Sequence, residues 1–185
     1  MSDHELAAVW NAADALGYPA REFVRLAIIT GARHTEITDM SWPEVDLTHG
    51  FWTVPADRHK TGTGVVIPLS TTMRAILESV PHRRRGGFVL SASAGEHPMR
   101  NEQRLKLKLD AATRLNQRWV IHDLRRTMRT GLSRIGVRPD IAERCIGHST
   151  GGKIGRTYDV WAFVDERRAA FEAWDKHVQA IAAQS

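Results

Sequence analysis

The side chains in this sequence that could do chemistry fall in four separated stretches. His122-Asp123-Leu124-Arg125 sets an imidazole and a guanidinium three positions apart at the expected start of a helix, and therefore on one face. The apolar stripe through Leu124 and Met128 points elsewhere, which leaves His122 and Arg125 to face a cleft; an isolated pair of this kind reads equally as a solvated helix end. In Gly31-Ala32-Arg33-His34-Thr35-Glu36, Arg33 follows a strongly apolar segment and so lodges beside the core, with Glu36 one turn later. A guanidinium so placed needs a carboxylate or a phosphate, and an internal Arg33–Glu36 ion pair or a bound anion would satisfy it. Gly147-His148 closes another helix, and Gly151-Gly152 leads on to Tyr158, one of only two tyrosines. Lys60 lies in the polar stretch 57–64. Guanidiniums and imidazoles hold oxyanions and move protons, while a phenol and an amine add a nucleophile and an acid.

These groups must be brought together by a particular set of elements. Ser2 and Glu5 form a capping-box pattern ahead of Leu6, Val9, Trp10, Ala13 and Leu16 at helical spacing. A buried helix is predicted over 21–29, stopped by Gly31, and a short one over 35–40 that ends before Trp42-Pro43. The segments 51–54 and 65–69 are rich in β-branched and aromatic residues and predict a hairpin with a long basic loop. Pro68 confines the second strand to an edge. Helices follow over 71–80 and 101–115, with a possible strand over 88–90. Leu124, Met128, Leu132 and Ile135 define another helix, 139–146 a short one, and Phe171, Trp174, Val178 and Ile181 the apolar stripe of a last one. That last stripe needs a partner surface, either the domain's own core or a neighbouring protomer. The expected fold is mainly α with a small antiparallel β-sheet, an α+β class. The run Arg83-Arg84-Arg85-Gly86-Gly87 is too short to divide domains and reads as a surface loop.

Bulk properties narrow the function classes. A chain of 185 residues with 42% apolar content can bury one good core. A net charge of +5 favours a polyanionic partner. Arg100, Arg104, Lys106 and Lys108 cluster on one predicted helix and Arg126, Arg129 and Arg134 on another; most serve as a solvated face, and a subset including Arg100, Arg104, Lys106, Arg126 and Arg129 is expected to reach phosphates. A single cysteine, Cys145, excludes an internal disulfide framework and fits a reducing cytosol. No apolar run approaches the roughly 20 residues of a membrane span, and no signal-peptide pattern opens the chain, so a cytoplasmic protein without membrane contact is expected. The nine histidines lack the spacing of a metal site and no Walker-type loop occurs, so neither metal nor cofactor is expected.

The ordered set of a TGxR with a following glutamate, a basic hairpin, HxxR, GH and a tyrosine near the C-terminus resembles the tyrosine recombinase (phage integrase) family, in particular its prophage-type integrases. The supporting text is TGARHTEITDMSW, the KTGTGVVIPLS region, IHDLRRTMRTGLSRIGVRPDIAERCIGHSTGG and RTYD, and the similarity runs from about Glu5 to the final helix. The resemblance implies that Arg33 and Arg125 are the two active-site arginines, and His122 and His148 the histidines of the HxxR and GH elements. It implies that Tyr158 is the nucleophile, Lys60 the hairpin lysine and Glu36 the buttressing acid. His148 and Tyr158 stand one residue further apart than in many members, as in the prophage-type subgroup with its Gly-Gly insertion. Arg58 and His59 are rivals of Lys60 for the role of general acid, and a plain phosphate contact is its other reading. The implied activity is metal-independent strand cleavage and rejoining through a 3′-phosphotyrosyl bond at double-stranded attachment sites. Monomers would assemble with other protomers into a tetramer on DNA. The family's core-binding and arm-binding domains would lie outside 1–185, which reads as one catalytic domain. The alternative reading is a non-catalytic DNA-binding remnant.

Overall fold

A computed structural model describes residues 1–60, 62–81, 87–148 and 161–184. The expected surface loop 83–87, apart from Gly87, and the stretch that holds Gly151, Gly152 and Tyr158 lie outside the described residues.

Helix α1 (Asp3–Ala12) begins as its sequence requires: the Ser2 hydroxyl accepts from the Glu5 amide at 3.2 Å, and the Ser2 amide donates to the Glu5 carboxylate at 2.7 Å. A 3₁₀ turn, Ala13–Leu16, continues it. Helix α2 (Ala20–Thr30) buries Phe23, Val24, Leu26, Ala27, Ile28 and Ile29, so it is covered on nearly every side. Gly31 ends it in the left-handed conformation at φ 57°. The next helix, α3 (His34–Thr38), starts three residues beyond that stop, so the turn between them holds Arg33 at the helix entrance.

The sheet has the order β1-β2-β3 and is antiparallel throughout, with β1 at Val45–Asp46, β2 at Phe51–Val54 and β3 at Val65–Pro68. Trp52 pairs with Ile67 and Val54 with Val65, and Pro68 sits on the edge strand where its missing donor is harmless. The predicted strand over 88–90 is corrected: Phe88 makes only an isolated bridge to Ser41, and the third strand comes from Val45–Asp46. Val89 and Leu90 instead insert into the core. Their apolar character therefore reflected burial, not strand pairing.

Helices α4 (Thr71–Ser79), α5 (Glu102–Thr113), α6 (His122–Arg134), α7 (Pro139–Cys145) and α8 (Val164–Ala182) complete the fold. The stripe of α8 packs on this domain's own core: Phe171, Trp174 and Val178 are buried, and Ile181 lies against them. Polar contacts fix its position. The Trp174 indole donates to the Ile28 carbonyl at 2.9 Å, the Thr72 amide donates to Asp175 at 2.8 Å, and Arg167 donates to the Val66 carbonyl at 2.6 Å. One helix thereby ties α2, the N-terminus of α4 and strand β3 together. Among the described residues no helix is long and apolar enough to cross a membrane.

Gly131 shows how closely α6 and α8 meet. A methyl group there would overlap the Trp174 ring, 2.5 Å from its Cη2, and the indole hydrogen bond to Ile28 prevents the ring from yielding. Gly→Ala inside a helix ordinarily gains about 1 kcal/mol. Gly131→Ala is expected to reverse that sign, with a net loss of about 1–3 kcal/mol from overpacking, read as a lowered urea midpoint.

Candidate active site

The site forms where α2, α6 and α7 end or begin against one another. The Gly31 position lets the α2 terminus approach α6 closely: an added Cβ would sit 2.5 Å from the Met128 sulfur. Into this junction α6 sends Arg125, which is 6% exposed. Its Nη1 donates to the Gly31 carbonyl at 2.7 Å, and its Nη2 donates to the Ile146 carbonyl. Gly31 and Ile146 are the C-terminal caps of α2 and α7, so the guanidinium stands at the negative ends of two helices. Burial, and then the like charge of Arg33, push its pKa down to about 10, which still leaves it cationic at neutral pH.

Arg33 comes from the α2–α3 turn. Its backbone amide donates to Glu36 Oε2 at 2.7 Å, and its Nη1 donates to Glu36 Oε1 at 2.7 Å. Glu36 is almost wholly buried, so this ion pair sets the guanidinium in a fixed place. The same Nη1 lies 2.8 Å from Nε2 of His59. Among the described residues Nε and Nη2 of Arg33 have no partner, and that edge remains to bind an anion. The Arg33–Glu36 pair foreseen in the sequence is therefore present, and it leaves donors over.

His122 opens α6 and is exposed; burial first, then Arg125 and Arg126, lower its pKa, so the ring is neutral at pH 7. Of the pair expected to face a cleft, Arg125 turns inward onto carbonyls while His122 meets solvent within electrostatic reach of Arg125 and Arg33. His148 follows α7, and its Nδ1 lies 2.6 Å from Glu143 Oε2. Burial raises the Glu143 pKa, but the hydrogen bonds from Arg129 and His148 outweigh it and hold the carboxyl below its ordinary value. The sequence reading did not single out Glu143, although its place five residues before His148 at the end of a short helix was the available signal. Lys60 is exposed, whereas its neighbour His59 is buried against Arg33, Glu36 and Gly147. Tyr158 lies outside the described residues.

The basic residues separate into two groups. Arg100 lies ahead of α5, not on it, and pairs with Asp39 at 2.5 Å. Lys106 pairs with Asp110 and lies 4.2 Å over the Trp119 ring, and Arg129 is held by Glu143 and Ser133. Arg104 and Lys108 are exposed with no ion pair among the described residues, and Arg126 is 73% exposed despite a contact to Asp123. The second group is the freer to meet a polyanion.

The sequence profile of the phage integrase family matches residues 1–160, and the chain belongs to that family. It is 28% identical over 154 residues to the prophage integrase IntA of Escherichia coli (strain K12), an alignment that covers 83% of this chain and 37% of the relative. The chain thus spans little more than a third of the curated relative it matches. Its fold is similar to the lambda integrase catalytic core, with a TM-score of 0.63, 21% identity and coverage of 80% of this chain and 94% of that one. An integrase from mycobacterium phage Brujita gives a TM-score of 0.63 at 21% identity, over 88% of this chain and 56% of that one. A lambda integrase dimer bound to a COC′ core site gives 0.65 at 21% identity, over 81% and 57%.

The carboxylate of Glu36 should be readable through His59. Burial lowers the pKa of His59, Glu36 opposes that, and Arg33, Arg125 and His148 add to it. Because the folded value lies below the unfolded one near 6.5, the unfolded chain takes up the proton first; the contribution to stability is intact above that pH and declines as the pH falls through it. Glu36→Gln is expected to move the His59 titration further down, followed by NMR of the imidazole. An unchanged titration would place the carboxylate outside effective contact.

Proposed function

We propose that this chain is the catalytic domain of a site-specific DNA recombinase, which cuts and rejoins double-stranded DNA through a 3′-phosphotyrosyl bond to Tyr158. The observation that carries the reading is the pairing of two fixed guanidiniums, one anchored by a buried carboxylate and one by two helix ends, with Arg33 keeping donors to spare. Two cations held in place suit a phosphodiester whose charge grows on its non-bridging oxygens as it is attacked. Arg33 and Arg125 would hold those oxygens. His122 and His148 would donate hydrogen bonds or accept the phenol proton, with Glu143 orienting His148. The Tyr158 oxygen bonds to phosphorus, the 5′-oxygen leaves, and Lys60 protonates it; the reverse steps reseal the strand without an external energy source.

The partners in this reading are DNA attachment sites and other recombinase protomers, assembled as a tetramer on DNA from monomers, in the cytoplasm where the DNA lies. The similarity to one prophage integrase, and to the fold of a lambda integrase dimer bound to a core site, supports it. Arg104, Lys108 and Arg126 supply phosphate contacts, with Arg100, Lys106 and Arg129 available once their internal pairs exchange for phosphate.

A suicide substrate nicked near the cleavage position should trap the protein on the 3′ end, seen as a slow band on a denaturing gel. Tyr158→Phe should bind DNA and trap nothing, and an undiminished adduct in that variant would end the assignment. Lys60→Ala should cleave ordinary DNA poorly yet recover largely on a bridging 5′-phosphorothiolate, because a thiolate leaves without an acid. Arg33→Ala should stay impaired on both substrates. An equal defect of Lys60→Ala on both would make Lys60 a DNA contact.

A further inference from the structure

The loop between β2 and β3 offers its lysine to solvent and buries its histidine. The side chain of His59 is 2% exposed, beneath the turn at Gly147, where a methyl group would stand 2.9 Å from Nε2. The loop is itself folded around this residue: the His59 amide donates to the Pro55 carbonyl at 3.1 Å, and the Gly62 amide donates to the His59 carbonyl at 2.9 Å. Arg58 holds the turn that precedes β1, donating to Glu44 at 2.5 Å.

Among the described residues the charged groups that face the ring are Arg33 and Glu36 from the α2–α3 turn, Arg125 from α6 and His148 from the end of α7. Arg33 Nη1 is 2.8 Å from Nε2, and Glu36 Oε1 is 3.6 Å away. A guanidinium only donates, so the short contact requires a lone pair on Nε2. His59 is then neutral, with its proton on Nδ1. Arg33 and Arg125 are cationic neighbours of the ring, and Oε1 of Glu36 is already engaged by Arg33. A second proton on the ring would set an N–H against an N–H.

We propose that His59 is a positioning residue: as a neutral imidazole that accepts from Arg33, it clamps the Lys60 loop onto the two-arginine site, and its protonation releases that loop. The clamp itself stands on the contacts above, and its consequence for strand cleavage rests on the recombinase reading. It makes the placement of Lys60 dependent on pH through a residue that need not touch DNA.

Imidazole ¹⁵N NMR of the DNA-free protein at pH 7.5 tests the clamp directly. His59 is expected as the Nδ1–H tautomer; an Nε2–H or doubly protonated ring would overturn it. Two variants test the consequence by single-turnover cleavage of the nicked substrate. His59→Gln can turn its amide oxygen to Arg33 and does not titrate, and it should cleave within about threefold of wild type. His59→Leu fills the space without an acceptor and should lose about tenfold or more, the scale of a displaced catalytic group. Between pH 7.5 and 5.5 the rate of His59→Gln should fall less than that of wild type, because the variant has no ring at position 59 to take up a proton. Equal losses in the two variants, or parallel pH profiles of wild type and His59→Gln, would overturn the positioning role. A wild-type protein that traps no DNA would count against the recombinase reading, and the tautomer would still decide the clamp.

Discussion

The site depends on the buried Arg125 guanidinium bridging the ends of α2 and α7. Taking a cation out of water costs about several kcal/mol unless it is well hydrogen-bonded. Here the compensation comes from carbonyls, those of Gly31 and Ile146, and from the negative ends of the helices they cap. The arrangement forces three elements to meet at one place. It also explains the demand for Gly31, whose left-handed conformation turns the α2 carbonyl toward α6 and whose missing side chain leaves room for Met128. Once Arg125 is fixed, Arg33 two residues beyond Gly31 is fixed with it, and Glu36 then needs only to bind the guanidinium beside it.

The rest of the fold serves to hold that junction rigid. The buried α2 gives it a floor, and α8 clamps α2 through the Trp174–Ile28 hydrogen bond while Arg167 holds β3 at Val66. The β2–β3 loop is therefore anchored at its strand end by α8 and at its tip by His59. A loop tethered at both ends can present Lys60 to solvent without moving freely. The carboxylates of Glu172 and Asp175 cap the exposed amides of Thr71 and Thr72, so the last helix also completes the start of α4. This self-packing takes up the apolar face of α8 that the sequence left open to either the core or a neighbouring protomer.

Much of this was legible in the sequence, for identifiable reasons. The capping pattern at Ser2 and Glu5, the stops at Gly31 and Gly147, and the alternation in 51–54 act within a few residues, so each element of the core was foreseen to within a residue or two except the third strand. Val89 and Leu90 misled because a short apolar run does not tell a strand from a buried loop. The order of arginines, histidines and tyrosine likewise named the family, since a chemical set in a fixed order needs no coordinates to be recognised. What only the tertiary structure decided is which polar side chains are taken out of water and by whom. It turned Arg125 onto two carbonyls, left His122 exposed, joined His148 to Glu143, and buried His59, a rival of the Lys60 that the sequence preferred. Those choices depend on partners 26 residues apart for Arg33 and His59 and 94 apart for Arg125 and Gly31. Local spacing carries no record of such pairs, because desolvation and hydrogen bonding are settled only when the helices close.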